Sequence, residues 1–486
     1  MSRIINPKSP EGQALMEPRT LGYVSEACHG VLIGAPNAGL IQRVSTNSRQ
    51  VRAGDLFFAL EGPRFDGHQY LGDAVKAGAA AVVVDRRKIS TVPEGCAAVA
   101  VENTRIALGQ LAARYRNDFE LPIVAIGGSN GKTSTKELLA AVLRKRFKTL
   151  WSEASFNNDI GVPLTLLNLD NTHTAAVVEV GTNHPGELRP LLEMIRPRYG
   201  IVTSLGREHL EFFAGMDGVI EEEGCLAQML PADGVLFVNG DCLGMEKIAC
   251  RALARVVRVG MGVANDWRGR LVVLDETGTT FGVRAPLSAW CGGYRLNLLG
   301  RHQVINAMLA LALGAELGLQ RSDILCGLAG CQPAHMRMQM WLANGVRVLD
   351  DAYNANVDSM IAALQTLHDL PCEGRRVAVL GDMAELGSYT EAGHAEVGRY
   401  AAELRVSQLF AVGRMASVTV EAARAAGLMQ ATELADIDEA VPVVRRFLSE
   451  GDTVLLKASR AARLERIREA LVGQAKPERE EKCFTI

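Results

Sequence analysis

Short apolar runs alternate with amphipathic stretches along most of this chain. The runs are four to six residues long and rich in Val, Ile, Leu and Ala, as expected of strands buried on both faces. They fall at 55–60 and 80–84, then at 123–126, 176–180, 200–203 and 235–238, then at 377–380, 409–412 and 453–456. Segments of helical spacing lie between them, among them 69–77, 133–147, 392–404 and 461–471. This rhythm predicts an α/β protein with mostly parallel sheets covered by helices. It divides into three blocks: a small N-terminal α/β domain (1–118), a central domain with a mostly parallel sheet (119–330) and a Rossmann-like C-terminal α/β domain (331–486). Residues 476–486 are polar and expected to fray.

Composition acts mainly by exclusion. A length of 486 residues suits three domains of about 100–200 residues. With 48% hydrophobic and 22% charged residues, the chain is neither disordered nor fibrous. Lys and Arg number 52 against 55 Asp and Glu, so no bulk attraction to nucleic acid or an anionic membrane is expected. The longest apolar stretch, 307–315, is too short to span a bilayer, and residues 1–18 lack a signal-peptide core. Ten cysteines with no C-x-x-C pair read as reduced thiols. These features predict a cytoplasmic protein, expected as a monomer.

The sharpest chemical signal is Gly128-Ser-Asn-Gly-Lys-Thr-Ser134, which follows a predicted strand and opens a predicted helix. Gly128 and Gly131 let backbone N–H groups of the loop, Ser129, Asn130 and Ser134 included, approach phosphate oxygens, and the helix N-terminus adds partial positive charge. Lys132 suits β- and γ-phosphates, and the Thr133 hydroxyl suits Mg²⁺. The spacing departs from the common Walker form, with Ile126 where its first glycine would stand. Glu179 ends an apolar strand, where ligands of open sheets bind and where Mg²⁺ finds oxygen donors. His209, just past the strand ending at Thr203, falls on the same edge as a candidate second-metal or transition-state ligand. Such a loop alone serves kinases, switches and ligases alike.

The phosphate loop, Phe156-Asn-Asn-Asp-Ile-Gly-Val-Pro163, Glu179-Val-Gly-Thr-Asn-His184 and His209-Leu-Glu211 together resemble the Mur ligases, the amide-bond ligases of peptidoglycan precursor synthesis. So do Gly300-Arg-His-Gln-Val-Ile-Asn306, Asp351-Ala-Tyr-Asn-Ala-Asn356 and Gly381-Asp-Met-Ala-Glu-Leu-Gly387. The resemblance is strongest to the branch that joins D-alanyl-D-alanine to UDP-N-acetylmuramoyl-tripeptide (UDP-MurNAc-tripeptide). It implies ATP and Mg²⁺, an acyl-phosphate intermediate, and a central catalytic role for Lys132, His209 and Glu223. Thr133 and Glu179 would bind one magnesium and His209 a second. His302 and Asn306 would contact the adenosine, and Arg337 and Asp351 would reach ATP from the third domain. Ser48 and Arg49 would face the UDP end, while Asn157, Asn158, Tyr353, Asn354 and Asn356 would line the substrate side.

Two departures stand out. The family usually has glycine before the arginine at 337; here it is Met336. Relatives also carry a CO₂-carbamylated lysine after the His-Leu-Glu segment, but this stretch is Gly218-Val-Ile-Glu-Glu-Glu-Gly224. Glu223 aligns with that lysine and is expected to replace its negative charge electrostatically. Two rival readings remain at this stage. One is a related ligase, of Mur or folylpolyglutamate type, that adds a single amino acid; no Asp-Asn-Pro-Arg motif of the diaminopimelate-adding relatives is found. The other is a nucleotide-dependent switch or binding protein.

Overall fold

The computed structural model describes residues 15–34, 39–63 and 65–473. The polar tail, Cys483 and the first fourteen residues lie outside them. Three α/β units follow one another along the chain, each built on its own sheet. The first has five strands, in the order Val31–Ile33, Ala97–Val101, Ala81–Asp85, Leu56–Phe58 and Val44–Ser45, of which only the first is antiparallel to its neighbour. The third has six strands, parallel except for the edge hairpin of Gln339–Ala343 with Val346–Asp350.

The central sheet has nine strands and positions the site. Strand Ile123–Gly127 lies between Ala175–Glu179 on one side and Tyr199–Val202 on the other, both parallel to it. Chain order reverses there, which makes its C-terminal edge the switch point where ligands of open sheets bind. Register puts Glu179 beside Ile126 and Val202 beside Gly127, so Glu179 and the segment leading to His209 flank the phosphate loop.

The far side of this sheet is not marked by the apolar pattern of the sequence. Strands Arg255–Gly260 and Trp267–Asp275 continue the parallel run, and Gly278–Arg284 then pairs antiparallel with Trp267–Asp275 on one side and with Gly292–Leu296 on the other. Their residues are only partly buried, so no continuous apolar run marks them. The helix expected at 461–471 begins only at Glu465, because Arg463 adopts a left-handed φ of +53° after a short 3₁₀ turn.

One apolar cluster runs without a break from the first unit into the second. Leu108, Leu111 and Tyr115 of helix Thr104–Arg116 join Val162, Leu166 and Leu188 in it, and the buried Tyr115 hydroxyl donates to the Leu169 carbonyl at 2.6 Å. Residues 307–315 lie in helix Arg301–Glu316, most of them fully buried against the opposite face of the central sheet. Among the described residues, no helix is long and apolar enough to cross a membrane, and the cysteines are free thiols.

Candidate active site

The phosphate loop joins strand Ile123–Gly127 to helix Lys132–Leu143. Gly128 and Gly131 have φ of +107° and +87°, which side chains disfavour. A Cβ at Gly128 would also stand 2.5 Å from Thr203 Oγ1, and one at Gly131 2.5 Å from Asn306 Oδ1. The loop is pinned from behind: Ser129 N donates to Ser204 O (2.8 Å), Asn130 N to Ser204 Oγ (2.9 Å) and Gly128 N to Glu223 Oε2 (2.7 Å). Lys132 folds over this cradle, donating to the carbonyls of Gly128 and Ser129 and lying 3.6 Å from Glu208 Oε1. Burial raises the Glu208 carboxyl to about 7, against the pull of Lys132. Glu208 is not among the site residues expected from the sequence, where a glutamate beside an arginine carries no mark of burial.

Beside the loop sits a set of oxygens. The buried Glu179 carboxylate accepts at Oε1 from Asn157 Nδ2 (2.9 Å) and Thr133 Oγ1 (3.2 Å). Ser155 Oγ lies 3.2 Å from the same threonine hydroxyl. Glu179 Oε2 is buried without a hydrogen-bond partner. An orphaned carboxylate oxygen among hydroxyls is a donor set that fits a hard cation such as Mg²⁺. His209 has φ +51° and hydrogen-bonds through Nδ1 to Glu385 of the third unit, itself at φ +61°. Burial lowers the imidazole pKa, with Glu385 opposing.

All three units line one cleft, with a cavity volume of about 1140 Å³. The first contributes Arg105 and Gln110; the second the loop from Ser129 to Ser134, with Asn157, Asn158, Glu179 and His209; the third Arg337, Tyr353, Asn354 and Asn356. Closure is held by hydrogen bonds. The side-chain amides of Asn130 and Asn356 pair reciprocally (2.9 and 3.3 Å), and Asn356 also caps helix Val357–Asp369. Arg207 donates to Asp358 (2.6 Å) and Glu396 (2.7 Å).

Other expected site residues stand back from the cleft lining. Asn306 packs under Gly131, and the His302 imidazole is held at about 4, hence neutral, by burial. Asp351 accepts from Lys457 Nζ (2.6 Å) and from Met338 N (3.1 Å). Ser48 and Arg49 form a short 3₁₀ turn capped by Asn47, with Arg49 exposed. Glu223 is fully buried behind the loop on Gly128 N, and its pKa is raised by that burial. Its neighbours differ: Glu222 accepts from Gly186 N and Leu188 N, both at 2.7 Å, and Glu221 pairs with Arg251.

The Arg337 guanidinium stacks on the Tyr353 ring, 4.2 Å from its centroid. Met336 and Met338 on either side have φ of +55° and +52°. The turn therefore keeps a glycine-like backbone although methionine stands at 336. Left-handed strain costs about 1–2 kcal/mol, whereas removing a buried methionine side chain costs about 2–5 kcal/mol. Met336 is only 2% exposed in the apolar core of the third unit, so packing wins. Met336→Gly is therefore expected to lower the melting temperature; a higher one would show that strain dominates.

A phosphate loop at the switch point of a mostly parallel sheet, opening into a cleft shared with two further α/β units, defines a nucleotide-dependent enzyme of the P-loop class. Three family profiles match in order: "Mur ligase family, catalytic domain" over 40–116, "Mur ligase middle domain" over 126–314 and "Mur ligase, glutamate ligase domain" over 336–460. The chain belongs to the Mur ligase family. It is 35% identical over 459 residues to UDP-N-acetylmuramoyl-tripeptide–D-alanyl-D-alanine ligase of Escherichia coli K12, covering 93% of this chain and 98% of the relative. The Bacillus subtilis ligase of the same name is 33% identical, over 94% of this chain and 99% of its own. Among solved structures, MurF from Acinetobacter baumannii superposes with a TM-score of 0.86 at 31% identity, over 94% of this chain and all of that one. MurF from Thermotoga maritima, solved in complex with ADP, gives 0.77 at 25% identity, over 89% and 97%.

Proposed function

We propose that this chain joins D-alanyl-D-alanine to the terminal carboxylate of UDP-MurNAc-tripeptide in peptidoglycan precursor synthesis. ATP would be converted to ADP through an acyl phosphate. The observation that carries this reading is the single cleft lined by all three units, with Lys132 and Glu179 on its central wall. A carboxylate must approach a triphosphate there, so negative charge accumulates, and Lys132 and the loop amides oppose it. Thr133 and Glu179 would hold one magnesium and His209 a second, and the metal when bound supplies further charge neutralisation on the phosphoryl oxygens. Arg337, braced by Tyr353, reaches the same cleft from the third unit. Asn157, Asn158, Tyr353, Asn354 and Asn356 supply polar groups for the peptide and dipeptide. The attacking amine must be neutral, a modest cost near pH 7 for a group of pKa about 7.7–8.0.

The division of labour is part of the proposal. Residues 1–118 take the UDP-sugar end, with Ser48 and Arg49; residues 119–330 take ATP, with His302 and Asn306 towards the adenosine; residues 331–486 close on both. We place the enzyme in the cytoplasm as a monomer. The test is phosphate release by the purified chain with ATP and UDP-MurNAc-tripeptide. Release should require D-Ala-D-Ala and should not be supported by single amino acids. Release independent of any added amine would instead mark a nucleotide switch.

Glu223 is proposed to stand in electrostatically for the family's carbamylated lysine, its charge resting on the loop amide rather than on a CO₂-derived group. Turnover is expected to be unchanged in buffers stripped of CO₂ and bicarbonate. A hydrogen bond to a charged acceptor contributes about 1.5–3 kcal/mol, so Glu223→Gln should lose roughly ten- to a hundredfold in kcat/KM. Collapse of turnover on stripping, or a Gln variant as fast as wild type, refutes the substitution.

A further inference from the structure

We propose that Lys136 is a positioning residue: from behind the cleft it holds the Glu179 carboxylate in the orientation that receives a divalent cation. The inference rests on the nucleotide–magnesium reading of the cleft. Lys136 lies on helix Lys132–Leu143, one turn beyond Lys132, and its side chain is completely buried. Lysines are almost never buried in full unless their charge is matched. Here the ammonium donates to the Ala154 carbonyl and lies 3.1 Å from Glu137 Oε1 and 3.7 Å from Glu179 Oε2.

That second glutamate contact matters because Glu179 Oε2 has no hydrogen-bond partner. Lys136 is thus the cation set against the oxygen that Asn157 and Thr133 leave unused. The Ala154 contact acts on the same set from another side. Ala154 has φ +46°, a conformation that only a well-determined surrounding holds, and its carbonyl is fixed by the lysine. Just beyond it, Ser155 meets the Thr133 hydroxyl and Asn157 donates to Glu179. One buried ammonium therefore ties the helix, the 154–157 loop and the end of strand Ala175–Glu179 together behind the candidate cation site. Having no exposed surface, Lys136 cannot touch nucleotide or peptide, so any effect on the reaction must pass through these neighbours. Groups that orient metal ligands typically change metal affinity about 10- to 100-fold when removed.

The test uses the full chain as wild type, K136M, K136R, E179Q and K136M/E179Q. Binding of a fluorescent ADP analogue is followed as Mg²⁺ is titrated, with melting curves alongside. Wild type should bind more tightly as Mg²⁺ rises. K136M should need at least about tenfold more Mg²⁺ for the same effect, and K136R should recover most of the loss. In the E179Q background the lysine substitution should add nothing further, because the pair acts as a unit. If K136M does not fold, the double variant should, since the unmatched carboxylate is gone. A folded K136M with the wild-type Mg²⁺ dependence, or a double variant as unstable as K136M, overturns the proposal. Wild-type binding that ignores Mg²⁺ would overturn the underlying reading, and this inference with it.

Discussion

Lys132→Met is expected to lower kcat/KM by about 10²–10³-fold while the chain stays folded. The two halves of that result have separate causes. The rate falls because the Lys132 ammonium sits over the loop carbonyls of Gly128 and Ser129, where a nucleotide's terminal phosphates would come to rest. Among the described residues, no other lysine lines this cleft to take its place. The fold survives because the group left behind can adjust. Glu208, 3.6 Å away, already has its carboxyl raised to about 7 by burial, with Lys132 pulling the other way. Without the lysine it takes up a proton instead of remaining as an unmatched charge. Lys132→Arg should not restore activity, because a planar guanidinium cannot replace a compact ammonium inside a loop this tight. Steady-state kinetics with a melting curve on the same preparation check both halves. A rate loss below about threefold would remove Lys132 from phosphate binding, since one charge-assisted contact is worth more than that.

How much of this site could be seen in the sequence depends on how local each signal is. The phosphate loop was legible because its glycines, lysine, threonine, preceding strand and following helix occupy one continuous stretch. Glu179 was legible because a carboxylate ending an apolar strand has little structural reason to be there. Lys457 has the same signature, closing the apolar strand Thr453–Lys457, and could have been found in the same way. Lys136 also left a trace: it sits three, four and seven residues before Leu139, Ala140 and Leu143, on a buried face of its helix, where a solvated lysine does not belong. Glu208 left none, since its burial comes from packing over the loop and not from its neighbours in sequence. The antiparallel edge of the central sheet was hidden for a related reason. Half-exposed strands such as Trp267–Asp275 mix Arg and Val without a continuous apolar run. The alignment of Glu223 with the family's modified lysine gave a position but not a direction; its contact with Gly128 N is a tertiary fact.

Lys457→Met is expected to destabilise the third unit by about 3–5 kcal/mol, the usual result of removing one partner from a buried ion pair. Lys457 and Asp351 are 106 residues apart in sequence and meet at 2.6 Å, with side chains 2% and 14% exposed. Burial lowers the pKa of the lysine and Asp351 opposes that shift, so each partner depends on the other. The loss should also reach the cleft. Lys457 donates to the Asn354 carbonyl (3.1 Å), and Asp351 accepts from Met338 N, next to Arg337. With the lysine gone, Asp351 is no longer fixed, and the turn that presents Arg337 loses its anchor. KM for ATP should therefore rise along with the instability. Replacing both charges, as Asp351→Asn with Lys457→Met, removes the unmatched carboxylate and should recover most of the stability, because a buried pair contributes little relative to neutral residues of similar size. KM should not recover with it, since asparagine does not restore the lysine's hold on the Asn354 carbonyl. Calorimetry of the intact chain separates the third unit's transition from the others, and ATP titrations of the single and double variants read KM. If the single variant melts with wild type, Lys457 is solvated in solution and the bracing of Arg337 must come from the Tyr353 ring alone.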